Sequence, residues 1–326
     1  MKEVQAVKQM TLLIVAIGGL AATAGHCGER AMDMRVFEIN AHLLAYYDGR
    51  PPEPSKPMAS GTWDDTGAYD VGVCTYVIHD GDEALVYDTY PDVRDAAWVR
   101  KDLERRGIKR FTVVNSHWHL DHVGGNAVYA DSSRIATMRT IDKLKAKKAG
   151  IEAGTEWGPP AIRPLVLPTI GIDHDTTVTV GRIGVLLRPV NIHSADGLVA
   201  LVPDDHLLLA GDTLEDTVTF ISEPEGINEH LANLQAMKGW GIARILPNHG
   251  DPERIRGGGY PPTLIDATIA YLSQVRHRVG ELHDQGGTLE DYVHDSVERG
   301  WVSIWWAYHA AHAENVRRVA QGAGRP

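Results

Sequence analysis

Apolar residues fall in short runs along this chain, and the polar residues between the runs mark turns. MRVFEI, from Met34, and LLAYY have the pattern of paired strands. GVCTYVI and ALVYDT flank the turn HDGDE and predict a β-hairpin. Between Asp92 and Arg106 the spacing of Ala, Trp, Val and Leu is helical and stops at Gly107. RFTVVN is nearly all apolar, as a strand buried on both faces must be. A second helix is predicted over Thr140 to Ala153, followed by the long irregular loop GTEWGPPAIRPLVLP. Four strand-like runs come next, TTVTVG, IGVLLRPV, GLVALVP and HLLLAGD. Asn228 to Lys238 reads as an amphipathic helix before the strand ARILP, and from Pro262 onward the pattern is helical. The segment PPEPSKPMASG is a proline-rich loop. Strands and helices mix without a clean βαβ alternation, which favours an α/β (α+β) domain of two sheets packed face to face with helices outside.

Composition narrows the function more than the fold. A formal net charge of −11 argues against a nucleic-acid surface. The one marked basic cluster, KLKAKK (Lys143 to Lys148), reads as a solvated helix face. Cys27 and Cys74 form neither a disulfide framework nor a metal knuckle, and Cys74 lies in an apolar run as a core residue. Lys2 and Lys8 precede the stretch MTLLIVAIGGLAA and the small residues Ala22-Thr23-Ala24, the layout of a cleaved export signal. Residues 1–33 are therefore expected to be a signal peptide or an extension, with the mature chain periplasmic or secreted in the first case and cytoplasmic in the second. The stretch is too short and too glycine-rich for stable membrane insertion.

The chemistry concentrates at strand ends. RFTVVN runs into NSHWHLDHVGGN, which carries His117, His119, Asp121 and His122. LLRPVNI leads into His193, HLLLAG into Asp212, ARILPN into His249 and EALVY into Asp88. Strand ends on one sheet edge converge, so these groups can share a cleft. Imidazole nitrogen and carboxylate oxygen suit zinc, and also manganese or iron. Five histidines and two carboxylates exceed one tetrahedral ion and suit two. Gly124 and Gly125 are expected to turn the backbone tightly behind the donors.

His117-Trp-His119-Leu-Asp121-His122 resembles the HxHxDH signature of the metallo-β-lactamase superfamily. His193, Asp212 and His249 follow in the order of its later motifs, so that the resemblance covers about Val36 to Pro252. It implies an αββα sandwich over residues 34–261 with a C-terminal helical extension, 262–326, packed on it. It also implies that His117, His119 and His193 hold one Zn(2+), that Asp121, His122 and His249 hold a second, and that Asp212 bridges them. Asp88 corresponds to an aspartate that orients the ligand loop by hydrogen bonds. The mechanism expected is hydrolysis of a small-molecule ester or lactone by hydroxide held between the ions, with Asp121 orienting it.

Asp212 departs from the Cys or Ser that many zinc β-lactamases carry there. It leaves β-lactam, phosphotriester or sulfate ester hydrolysis and hydrolytic dehalogenation as alternatives, with a mononuclear iron persulfide dioxygenase as the redox alternative. Trp63, Trp157 and Trp240 are candidates for a substrate mouth, and Arg163 with the basic helix for anion steering. The apolar run WVSIWWAYH either covers the cleft or forms a homodimer face. His79, His174 and His206 are expected to be solvated. His309 and His312 are expected to pack or cap, and Asn115 and Ser116 to bond the loop.

Overall fold

The computed structural model describes residues 32–49, 62–285, 288–298 and 305–323. The export-signal pattern with Cys27, the proline-rich loop and most of the apolar run before Trp305 lie outside the described residues.

Strands β1 (Arg35–Asn40) and β2 (Leu43–Asp48) pair antiparallel, as do β3 (Val73–Asp80) and β4 (Glu83–Tyr87). Helix α1 (Val93–Arg105) is capped by the Asp92 carboxylate on the Arg94 amide and leads to β5 (Arg110–Val114), parallel to β4. The short α2 (Leu120–Val123) and a 3-10 turn precede β6 (Ser133–Thr137), helix α3 (Met138–Ala153) and β7 (Ile170–Ile172). Seven strands thus form one sheet in chain order, parallel from β4 onward. The strands β6 and β7 were not anticipated. SRIAT is a short run and IGI is too brief to show a period, so β7 emerges only from pairing with β6.

The second sheet has the order β12-β11-β10-β9-β8, built from β8 (Thr176–Val180), β9 (Ile183–Ile192), β10 (Ser194–Val202), β11 (Leu207–Gly211) and β12 (Arg244–Pro247). Helix α4 (Ile227–Met237) separates β11 from β12, which run parallel. After β12 come α5 (Pro252–Arg256), α6 (Thr263–Gln285), α7 (Leu289–Glu298) and α8 (His309–Ala323).

The unbroken apolar character of HLLLAG follows from its place between two cores. Leu207 and Leu209 join Tyr76, Leu85 and Val114 between the sheets, whereas Leu208 faces α4, α6 and α8 with Leu234, Leu272 and Val316. On the far side of the first sheet, Ala96, Val99 and Leu103 of α1 pack on Val77, Val86 and Val113. Each such side chain contributes about 1.5–3 kcal/mol on burial. The order of layers is helix, sheet, sheet, helix. Helices α6 and α8 belong to the same compact unit as the sheets, through the core they share with β10 and β11. No helix among the described residues is long and apolar enough to cross a membrane.

Candidate metal centre

Parallel pairing of β4 with β5, and of β11 with β12, brings four C-terminal strand ends to one edge of the sandwich. Backbone bonds fasten the two sheets there: the Leu198 amide donates to the Ser116 carbonyl at 2.7 Å and the Cys74 amide to the Asn248 carbonyl at 2.8 Å. Asp88, Tyr90 and His193 take left-handed backbone conformations at this edge, each with φ of 66°. Such a conformation is costly without glycine and persists only where the surroundings impose it. The Asp88 amide donates to the Val114 carbonyl, and the Ser222 hydroxyl donates to the His193 carbonyl at 2.6 Å.

Seven side chains meet at the edge. His117, His119, His193 and Asp212 form one group, and Asp121, His122, His249 and Asp212 form a second, each with donor atoms within 4.8 Å of one another. All are buried. Asp212 stands between the groups: its Oδ2 is 3.1 Å from His122 Nε2 and 3.6 Å from both His117 Nε2 and His193 Nε2, and its Oδ1 is 3.5 Å from His249 Nε2. His249 Nε2 also lies 3.1 Å from Asp121 Oδ2. His193 Nε2 and His119 Nδ1 are 3.0 Å apart.

The outward-facing nitrogens are already engaged. His193 Nδ1 meets the Phe220 carbonyl at 2.8 Å, His249 Nδ1 the Gly72 carbonyl at 2.6 Å, and His122 Nδ1 Asp88 Oδ2 at 2.8 Å. These partners fix the tautomer that leaves Nε2 free to face the centre. There, His117 Nε2 and Asp212 Oδ1 are buried and find no hydrogen-bond partner among the described residues. Buried polar atoms are rarely left so. Converging nitrogens and carboxylates with unspent lone pairs fit divalent cations.

Electrostatics sort the histidines. Burial, with neighbouring imidazoles adding to it, holds His117 and His119 well below the usual imidazole range, and burial lowers His193. Burial also opposes charge on His122 and His249, but Asp212 and Asp121 outweigh it and hold both well above that range. The second group therefore concentrates the negative charge that a cation would neutralise.

Asp88 is buried beside the donor groups. Its carboxylate accepts from the Ser116 amide at 2.7 Å and from Asn248 Nδ2 at 2.7 Å, besides meeting His122. Asn115 Nδ2 donates to the His122 carbonyl, so Asn115 and Ser116 are bonded into the loop. Gly124 and Gly125 serve a different purpose from the turn expected of them. A Cβ at Gly124 would lie 2.1 Å from the Pro91 carbonyl oxygen, and one at Gly125 2.0 Å from that of Thr89. Close approach of two backbones, not turn geometry, requires glycine there.

Asp196 was missed, because nothing in SADG marks it as buried. It is 1% exposed; its Oδ2 accepts from the Trp118 amide and the Thr140 hydroxyl, and its Oδ1 from Lys143 Nζ and the Ser194 hydroxyl. One carboxylate thus ties the residue between His117 and His119 to the residue after His193.

A cavity of about 660 Å³ opens over Asp121, His119, His193, Asp212 and His249. Trp63 and Trp157 line it as expected, joined by Trp118, Phe220 and Tyr308, which had not been singled out. Trp240 does not: it packs against the outer core of the second sheet with Arg188 stacked on its ring at 4.3 Å. Arg163 is exposed and outside the cavity lining, whereas Lys143 and Lys147 line it, so the basic helix is not merely a solvated face. Ala311, Glu314 and Arg318 of α8 also line the cavity, so α8 forms part of its wall. His309 is exposed, and His312 is packed between Tyr271 and Ser296. His174 and His206 are exposed; His79 is half-buried near the end of β3. Cys74 is a buried core residue.

Comparison with known proteins agrees with this geometry. Residues 68–288 match the sequence model of the Metallo-beta-lactamase superfamily, more than half of the chain. The Beta-lactamase-like protein 2 homolog of Caenorhabditis elegans is 26% identical over 258 residues, covering 76% of this chain and 77% of that protein. A Hydroxyacylglutathione hydrolase of Brucella ovis is 28% identical over 138 residues, 42% of this chain and 46% of the relative, so that the match spans less than half of that protein. Among solved structures, DIM-1 metallo-beta-lactamase exposed to ceftazidime superposes with a TM-score of 0.56 at 18% identity, covering 76% of this chain and 99% of its own. The metallo-beta-lactamase from Pontibacter korlensis gives 0.55 at 15% identity, covering 74% and 99%. At these identities the structural likeness carries the fold alone.

Proposed function

The chain belongs to the metallo-β-lactamase superfamily, and from that premise we propose that it is a hydrolase that holds two zinc ions and cleaves a small-molecule ester or lactone. One observation carries the reading: two buried donor groups share Asp212 at the floor of a cavity large enough for a small molecule. His117, His119 and His193 would hold one ion, Asp121, His122 and His249 the other, and Asp212 both. Bound there, such ions would supply Lewis acidity and make water a stronger nucleophile near neutral pH.

The remaining work falls to the chain. Asp121 lines the cavity beside His249, and its carboxylate would orient the attacking water. Asp88 holds the His122 imidazole and, through the Ser116 amide, the start of the donor loop. The indoles of Trp118 and Trp157 limit water around His119, their rings 4.9 and 5.0 Å from its own.

Thioester hydrolysis is a second reading, supported by the partial similarity to a Hydroxyacylglutathione hydrolase. The test joins elemental analysis of the purified protein to assays on lactone, aryl ester, thioester, β-lactam, phosphotriester and chloroaromatic substrates. Two zinc ions with ester or lactone turnover support the proposal. One iron with oxygen consumption overturns it in favour of a dioxygenase. Export is proposed from the amino-terminal pattern alone, and the mass of the mature chain tests it.

A further inference from the structure

Three indoles run outward from the donor groups. Trp157 stands edge-on to His119 at 5.0 Å between ring centres, to Trp118 at 5.4 Å and to Trp63 at 5.9 Å. Trp63 Nε1 is anchored on the Pro160 carbonyl at 3.0 Å, which holds the cluster on the irregular loop. Trp157 keeps 37% of its surface exposed and, with Trp63 and Trp118, lines the cavity with a contiguous aromatic patch. Phe220 and Tyr308 add further aromatic surface to the same cavity.

The charges around this surface are arranged against a second anion. Among the described residues lining the cavity the cations are Lys143, Lys147 and Arg318, and each is already paired. Lys143 Nζ lies 2.9 Å from Asp196 and 2.6 Å from Glu223; Lys147 pairs with Glu156; Arg318 Nε lies 2.8 Å from Glu314. Drawing Lys143 toward a bound anion would strip the fully buried Asp196 of its countercharge. Three carboxylates outside the donor groups, Asp70, Glu223 and Glu314, line the cavity beside those three cations, and a fourth acid, Glu215, is pushed up to about 8 by burial, with Asp212 adding to it. An anionic tail would find each side-chain cation of the lining already paired with a carboxylate.

We propose that the substrate is uncharged beyond its reacting group and seats an apolar acyl or alcohol chain on the Trp63, Trp118 and Trp157 cluster. This rests on the reading of the site as an ester or lactone hydrolase, and it sets glutathione thioesters and β-lactams, which carry carboxylates, below neutral esters. Glu156 lies outside the cavity lining, so Glu156→Gln releases Lys147 without removing a wall.

The test compares p-nitrophenyl acetate, hexanoate and hemiglutarate on the zinc-loaded full chain. Intrinsic tryptophan fluorescence is titrated in parallel with hexyl methyl sulfone and with its near-isosteric anion, hexanesulfonate. Each seated methylene is worth roughly fourfold in affinity. kcat/KM should therefore rise at least tenfold from acetate to hexanoate and fall at least tenfold from hexanoate to hemiglutarate. The sulfone should bind at least tenfold tighter than the sulfonate. Trp157→Ala should flatten the chain-length dependence mainly through KM and weaken the sulfone, and Glu156→Gln should raise hemiglutarate turnover severalfold. Equal or tighter binding of the sulfonate, or an unchanged chain-length slope in Trp157→Ala, overturns the inference. Absence of ester and lactone turnover defeats the hydrolase reading instead, and the binding titration then decides the inference by itself.

Discussion

Buried histidines in two regions of this molecule meet opposite fates. In the C-terminal helices, His312 sits between hydroxyls, with Nδ1 3.0 Å from Tyr271 and Nε2 2.8 Å from Ser296. Asn315 extends the network to Tyr271, to the Thr219 carbonyl and to the Ile221 amide. Both imidazole nitrogens are spent. At the sheet edge, His117 is equally buried, yet its Nε2 faces carboxylate and imidazole groups with no hydrogen bond of its own. The first arrangement is complete as protein; the second is completed by something the chain does not supply. Burial alone therefore does not separate a structural histidine from a ligand; convergence of several imidazoles and carboxylates on one point does.

The largest effect should come from Asp212→Ala, which removes the donor common to both groups. It should lose bound metal and lower kcat/KM by roughly a thousandfold, read by elemental analysis beside turnover. His312→Ala should leave cation stoichiometry unchanged; cation loss there would dissolve the contrast.

Next in size is Asp196→Asn, which weakens the tie between the Trp118 amide, Ser194 and Lys143. Metal affinity should fall about 10- to 100-fold, measured by competition with a chromogenic chelator, and the longer Glu should not rescue it in so enclosed a site.

Chelation should lower stability by mass action, about 2.7 kcal/mol for a cation present at a hundred times its Kd. Thermal melts with and without chelator should show the same shift in wild type and His312→Ala. A shift that shrinks in the variant would mean the C-terminal network responds to the cations.

The smallest effect is on pH dependence. Burial, with His309 adding to it, lowers His312 to about 4, and burial lowers His230 to about 4 as well. The unfolded chain protonates these groups near 6.5 and so binds more protons than the native state between about 6.5 and about 4. Their contribution is present above 6.5 and is lost as pH falls through 4. Urea unfolding at pH 7 and pH 5 should show a shallower loss in His312→Gln. Metal affinity should also fall on acidification, because protons compete for His122 and His249, which their carboxylate neighbours hold high.

Most of the fold could be read along the chain because local spacing reports local structure. The runs at MRVFEI, LLAYY, RFTVV and HLLLAG became β1, β2, β5 and β11, and the donors follow the ends of β5, β9, β11 and β12. Side chains whose meaning depends on distant partners could not be read so. Trp240 and Trp157 look alike on their loops, yet one stacks under Arg188 in the outer core and the other stands beside His119. Asp196 is an ordinary polar residue until Trp118, Thr140 and Lys143 close on it.

What the sequence determined by itself was the set of chemical groups and the strands that carry them, since residue type and period are properties of a few neighbouring positions. Tertiary structure alone decided which nitrogen of each imidazole faces inward, and which cations are already neutralised. It also decided that Gly124 and Gly125 answer to the backbone at Thr89 and Pro91 and not to a turn. Those outcomes depend on packing between segments that are neighbours in space and remote along the polymer.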